Sequence, residues 1–98
     1  MTLQSYKQLH VWQRSIELVK EIYLLTENFP KSEIYGLSLQ MRRAAISIAS
    51  NIAEGYKRRH LGEYIQFLSI AEGSAAELET QLIIAKDVYA RRDFSKAE

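Results

Sequence analysis

Residues 40–55 read QMRRAAISIASNIAEG, and the fold follows from how that stretch is read. At about 3.6 residues per turn, Met41, Ala45, Ile48 and Ile52 stack on one face with Ala44 beside them. Ile46, Ala49 and Ala53 form a second apolar face, and Arg43, Ser47, Ser50 and Glu54 share the polar line that remains. One stripe is enough to join a core. Two stripes predict that this helix also packs against something beyond its own domain, most simply another copy of the chain.

Working outward, a first helix is expected over about residues 9–28. Trp12, Ile16, Val19, Tyr23 and Thr26 make one stripe, and Val11, Leu18, Ile22, Leu25 and Phe29 a neighbouring one. Pro30 stops it, because proline disfavours helical geometry at the preceding residue and donates no hydrogen bond. Ser38 is the expected N-cap of the second helix and Gly55 its C-terminal stop. After a short basic link, a third helix is expected to run to about Tyr89. Its seam of Tyr64, Leu68, Ala71, Ala75, Leu78, Leu82, Ala85 and Tyr89 alternates steps of four and three, the pattern of left-handed helix packing. Gly73 within it costs about 1 kcal/mol against Ala, so a close backbone approach is expected there. Ser95 and Glu98 carry the spacing of a capping box just where the sequence closes. The expectation is one domain over residues 1–98: an all-α, antiparallel up-and-down bundle of three long helices, the fourth absent or only begun.

Composition bounds the class. The 98 residues are 47% hydrophobic and 26% charged, with no Cys, so there is neither a disulfide framework nor a thiolate metal site. No apolar run approaches the roughly 18 residues of a membrane span, and the N-terminus has no signal-peptide core. A cytoplasmic location and no membrane partner are expected. Net charge is +1, unevenly spread. Residues 42–60 hold Arg42, Arg43, Lys57, Arg58 and Arg59 against Glu54 alone, whereas residues 61–80 hold Glu63, Glu72, Glu77 and Glu79 with no Lys or Arg.

A family resemblance rests on Val11-Trp12, Phe29-Pro30, Tyr35-Gly36-Leu37, Arg42-Arg43-Ala44, Asn51-Ile52-Ala53-Glu54-Gly55, Gly73-Ser74 and Glu77-Leu78-Glu79. In these blocks the chain resembles the four-helix-bundle proteins encoded in intervening sequences of bacterial 23S rRNA genes, over about residues 9–85. The resemblance implies an antiparallel four-helix protomer that assembles into a ring, typically a homopentamer, without catalytic activity. A related branch, the accessory proteins of diversity-generating retroelements, forms similar basic barrels that bind nucleic acid and a reverse transcriptase. After Lys86 the chain departs from the pattern, where the family continues into its fourth helix.

The candidate nucleic-acid-binding residues are Arg42, Arg43, Lys57, Arg58 and Arg59, with His60 beside them. Near a ring pore, several copies would multiply their field and attract phosphate, and Tyr56 is placed to stack on an exposed base. Read without function, the same residues are a solvated link with an Arg58–Glu54 pair one turn apart. Asn51 and Glu54 are read as structural polar residues, satisfying backbone groups or a partner helix. His10 and His60 stand alone, with no metal-ligand spacing, no phosphate loop and no nucleophile elbow, so no metal and no cofactor are expected. Four Glu residues on the third helix would be the raw material of a metal-dependent nuclease, though a solvated face is the simpler account. The function expected is a non-enzymatic, self-associating scaffold or accessory that engages RNA, DNA or a nucleoprotein partner through the basic patch. The alternative is a protein-interaction module that binds no nucleic acid.

Overall fold

The computed structural model describes residues 5–89. Three helices account for most of it: α1 (His10–Glu27), α2 (Leu37–Tyr56) and α3 (Leu61–Tyr89). Single 3-10 turns at Tyr6–Gln8 and Lys31–Glu33 precede α1 and α2, and no strand occurs among the described residues. All three helices expected from periodicity are present, and their bounds agree with the expected ones to within two residues.

Contacts fix their directions. Trp12 near the start of α1 lies beside Ala53 near the end of α2, while Arg42 near the start of α2 bonds Thr26 near the end of α1. Gly55 at the end of α2 approaches Tyr64 and Phe67 early in α3, so α2 is antiparallel to both neighbours. α2 packs along both of them, and α1 and α3 share no comparable seam. The result is a rod of 53 × 21 × 19 Å with a radius of gyration of 15.9 Å. A compact chain of this length would have about 12.5 Å.

The core follows the first stripe of α2. Met41 and Ala45 are wholly buried, with Ala44, Ile48 and Ile52 nearly so, against Ile22 and Phe29 from the α1 side and Ala71, Leu78, Ala85 and Tyr89 from the α3 side. Each large side chain removed from water in this way contributes about 1.5–3 kcal/mol. The second stripe has a different fate from the one expected. Ala49 is buried and Ala53 half-buried beside α1, where Tyr6, Trp12, Ile16 and Val19 face Ile46, Ala49, Ser50 and Ala53 across a groove of about 280 Å³. Of this stripe only Ile46 stays exposed. α1 therefore takes the flank that periodicity alone assigns to a sister subunit.

Three local expectations change in the structure. Ser38 is not the N-cap of α2 but lies inside the helix, buried. Gly36 holds the cap position and has no side chain to offer, so Glu33 Oε1 accepts from the Leu37 N–H at 3.1 Å, a carboxylate placed at the positive end of the helix. Gly55 does not stop α2, which continues through it to Tyr56 with no positive φ. It is there for space: a Cβ at Gly55 would sit 3.0 Å from the Phe67 Cβ and 3.4 Å from the Tyr64 carbonyl oxygen. Gly73, expected at a close approach, has nothing within 4 Å of the corresponding point.

The three helices leave apolar surface uncovered. Ile65, Ile70, Ile83, Ile84 and Val88 on α3 and Val11, Leu24 and Leu25 on α1 are all exposed. The capping box at Ser95–Glu98 and any fourth helix lie outside the described residues.

Candidate nucleic-acid interface

The five cations named from sequence do not form one patch. Arg43 and Lys57 are fourteen residues apart on or just beyond α2, which is about 21 Å along a helix. One subset lies near the start of α2 and the other at its exit.

Arg42 is committed within the chain. Its Nε donates to Thr26 Oγ1 at 2.8 Å, Nη2 lies 3.5 Å from the Tyr23 carbonyl oxygen, and its guanidinium lies 4.4 Å from the Tyr23 ring centroid. Thr26, buried, donates its own hydroxyl hydrogen bond to the Ile22 carbonyl at 2.7 Å. The arrangement places a cation against the last turns of α1, where unpaired carbonyls make the helix end negative. Arg43, one residue on, is exposed and has no bonding partner among the described residues.

At the other end, Lys57, Arg58, Arg59 and His60 fill the link between α2 and α3, all exposed. The link is anchored by backbone bonds, Lys57 N–H to the Glu54 carbonyl at 3.2 Å and Arg58 N–H to that of Gly55 at 3.0 Å. Arg58 Nη2 pairs with Glu54 Oε2 at 2.8 Å, and its guanidinium lies 4.6 Å from the Phe67 ring centroid. Lys57 and Arg59 have no carboxylate partner among the described residues, so their charge faces water uncompensated. Tyr56 is half-buried, and of the exposed planar groups in the link Arg58 is the one whose plane rests on an aromatic ring.

The structure adds a residue that sequence reasoning missed. The turn Tyr6–Gln8 packs on the last turns of α2, with the Tyr6 ring edge-on to Trp12 at 5.3 Å. It is held by Lys7 N–H to Ser5 Oγ at 3.1 Å and by Gln13 Nε2 to the Lys7 carbonyl at 2.9 Å. Lys7 and His10, both exposed, thereby join the basic end of the rod. Fifty residues separate Lys7 from Lys57, and no local pattern links them.

Asn51 and Glu54 take structural contacts. Asn51 Nδ2 donates to the Ser47 carbonyl at 2.8 Å and to Ser47 Oγ at 3.0 Å, and Ser47 Oγ shares a hydrogen bond of 2.8 Å with Ser74 Oγ across the α2–α3 contact. Asn51, beside a polar line that could pass for a catalytic row, thus supports an interhelical polar bridge. Glu63, Glu72, Glu77 and Glu79 are all exposed on α3, and no group of three or more His, Cys, Asp or Glu among the described residues is disposed to hold a metal ion.

Helix directions, an alanine-lined core and cations gathered at one tip define an elongated, all-α protein of antiparallel helices. Its described helices include none long and apolar enough to cross a membrane. The model of the 23S rRNA-intervening sequence protein family matches residues 7–94, and the chain belongs to that family. The match continues past Lys86, where the residues alone suggest a departure from the pattern. No curated protein matches the chain.

Proposed function

We propose that this protein is a self-associating helical scaffold that engages nucleic acid through the basic end of its rod. The observation that carries the reading is the gathering of Lys57 and Arg59, with no ion-pair partner among the described residues, beside Lys7 from fifty residues earlier in the sequence. Clustered cations that are not ion-paired raise the local potential and bind phosphate by releasing its counterions, so affinity falls steeply with salt. Arg43 adds a second, separate point of positive charge along α2. Self-association is supported by the apolar flanks of α1 and α3, which another copy or copies would cover, in a ring or otherwise. Ring assembly and the nucleic-acid-binding retroelement accessory proteins, both part of the family resemblance, point the same way.

Light scattering of the purified protein, with and without a short RNA, tests both halves together. The expected result is a mass above that of one chain and a further rise on adding RNA, reversed at high salt. A single-chain mass at all concentrations would remove the assembly. An RNA-independent mass would leave the protein-interaction module, which Tyr35, 88% exposed beside the exposed Ile34 on the α1–α2 connector, favours.

A further inference from the structure

The exit link of α2 contains two kinds of cation, and the difference between them points to a type of ligand. Lys57 and Arg59 carry uncompensated charge. Arg58 does not, because Glu54 neutralises it at 2.8 Å. What Arg58 offers instead is a fixed plane. Its backbone N–H is tied to the Gly55 carbonyl, one edge of its guanidinium is bound to Glu54, and one face lies on Phe67. The side chain is still 40% exposed although one face of its guanidinium lies on Phe67. An arginine in water loses rotamer entropy when it is stacked by a ligand. Here two contacts within the chain, to Glu54 and to Phe67, already restrict that freedom.

We infer that the outer face of Arg58 is a stacking platform for an unpaired base, so that the ligand of the basic end is single-stranded nucleic acid, with Lys57 and Arg59 taking the phosphates on either side. The inference rests on the nucleic-acid reading above and narrows it. Guanidinium planes stack on bases that have left a helix, and every base has a face to offer, so recognition by this platform is tolerant of sequence. A duplex presents no such face along its length and would meet only Lys57, Arg59 and Lys7. The link is also short and at the tip of a rod about 20 Å wide. That shape suits a strand draped over it better than a groove suits a duplex.

The test uses the full chain and three labelled probes: a 12-nucleotide oligothymidylate, the same backbone with abasic sites throughout, and a 12-base-pair duplex, compared by fluorescence anisotropy. The wild type is expected to bind the oligothymidylate about tenfold more tightly than the abasic strand, the scale of one base stacked on a protein. Arg58→Lys keeps the charge and removes the plane. It should abolish that tenfold difference while leaving abasic affinity and the thermal midpoint unchanged. Equal wild-type affinity for the two single strands, tighter binding of the duplex, or an intact difference in Arg58→Lys would each overturn the platform. Salt-dependent binding of the abasic strand reports the broader reading independently, and no binding of any probe would sink both.

Discussion

The two ends of the rod are built on opposite principles. At one, Phe29 and Tyr89 pack ring on ring at 5.3 Å, the Tyr89 hydroxyl donates to Glu33 Oε2, and the other oxygen of the same carboxylate caps α2. α1, α2 and α3 are all gathered there by a single side chain and an aromatic pair. At the other end Lys7, Lys57, Arg59 and His60 stand in water, and only Arg58 is held. The closed end combines burial with hydrogen bonds that join the helices, and it contributes stability. The basic end contributes little stability and keeps its charge available. Residues that look alike in sequence therefore divide by location: Arg42 belongs to the closed half, Arg58 and Arg59 to the basic tip.

The sharpest way to break the contrast is Met41→Ala, beside the closed end and wholly buried. It should cost about 2–5 kcal/mol in chemical denaturation, from lost transfer energy and the cavity left behind. Next, Gly55→Val near the basic tip should cost about 1–3 kcal/mol, because the new side chain meets Phe67 and the Tyr64 backbone. Arg42→Ala should cost about 1–2 kcal/mol through the Thr26 bond and the Tyr23 stack, whereas Arg43→Ala should stay within about 0.5 kcal/mol. Gly73→Ala, facing open space on a helix, should gain about 0.5–1 kcal/mol, read as a higher thermal midpoint. The smallest stability effect is expected from Lys57→Ala with Arg59→Ala, again within about 0.5 kcal/mol. That pair should nonetheless flatten the plot of log affinity for single strands against log salt by roughly 1.4, about 0.7 for each phosphate that is no longer neutralised. Equal destabilisation by the Arg42 and Lys57/Arg59 variants would erase the distinction between the ends.

How much of this is legible in the sequence depends on the range of the interaction. Met41, Ala45, Ile48 and Ile52 announce a buried helix face because their spacing is a local property of the α-helix, and they are buried. The Arg58–Glu54 pair is legible for the same reason, lying one turn apart. The roles of Gly55 and Gly73 are not, since which glycine meets a neighbour depends on where α2 crosses α3. Arg42 and Arg43 are adjacent and chemically identical, and only the position of α1 separates an anchored side chain from an unanchored one. Ser38 looks like a cap because its residue type favours one, but Glu33, folded back from the preceding turn, takes the Leu37 N–H instead. No window of sequence assigns Lys7 to the basic end.

The hydroxyl pair between Ser47 and Ser74 has a mechanical meaning. Ala44 and Ala45 on α2 and Ala71 and Ala85 on α3 make the buried contact rich in small, smooth side chains, along which one helix would glide past the other with little resistance. Sliding by a turn would bring Ser47 against Ile70 or Leu78 and break the one interhelical bond, leaving the Ser74 hydroxyl facing hydrocarbon, while Asn51 keeps its bonds to Ser47 within α2. One small polar bridge thus acts as a detent, choosing a single alignment from several that grease alone would tolerate.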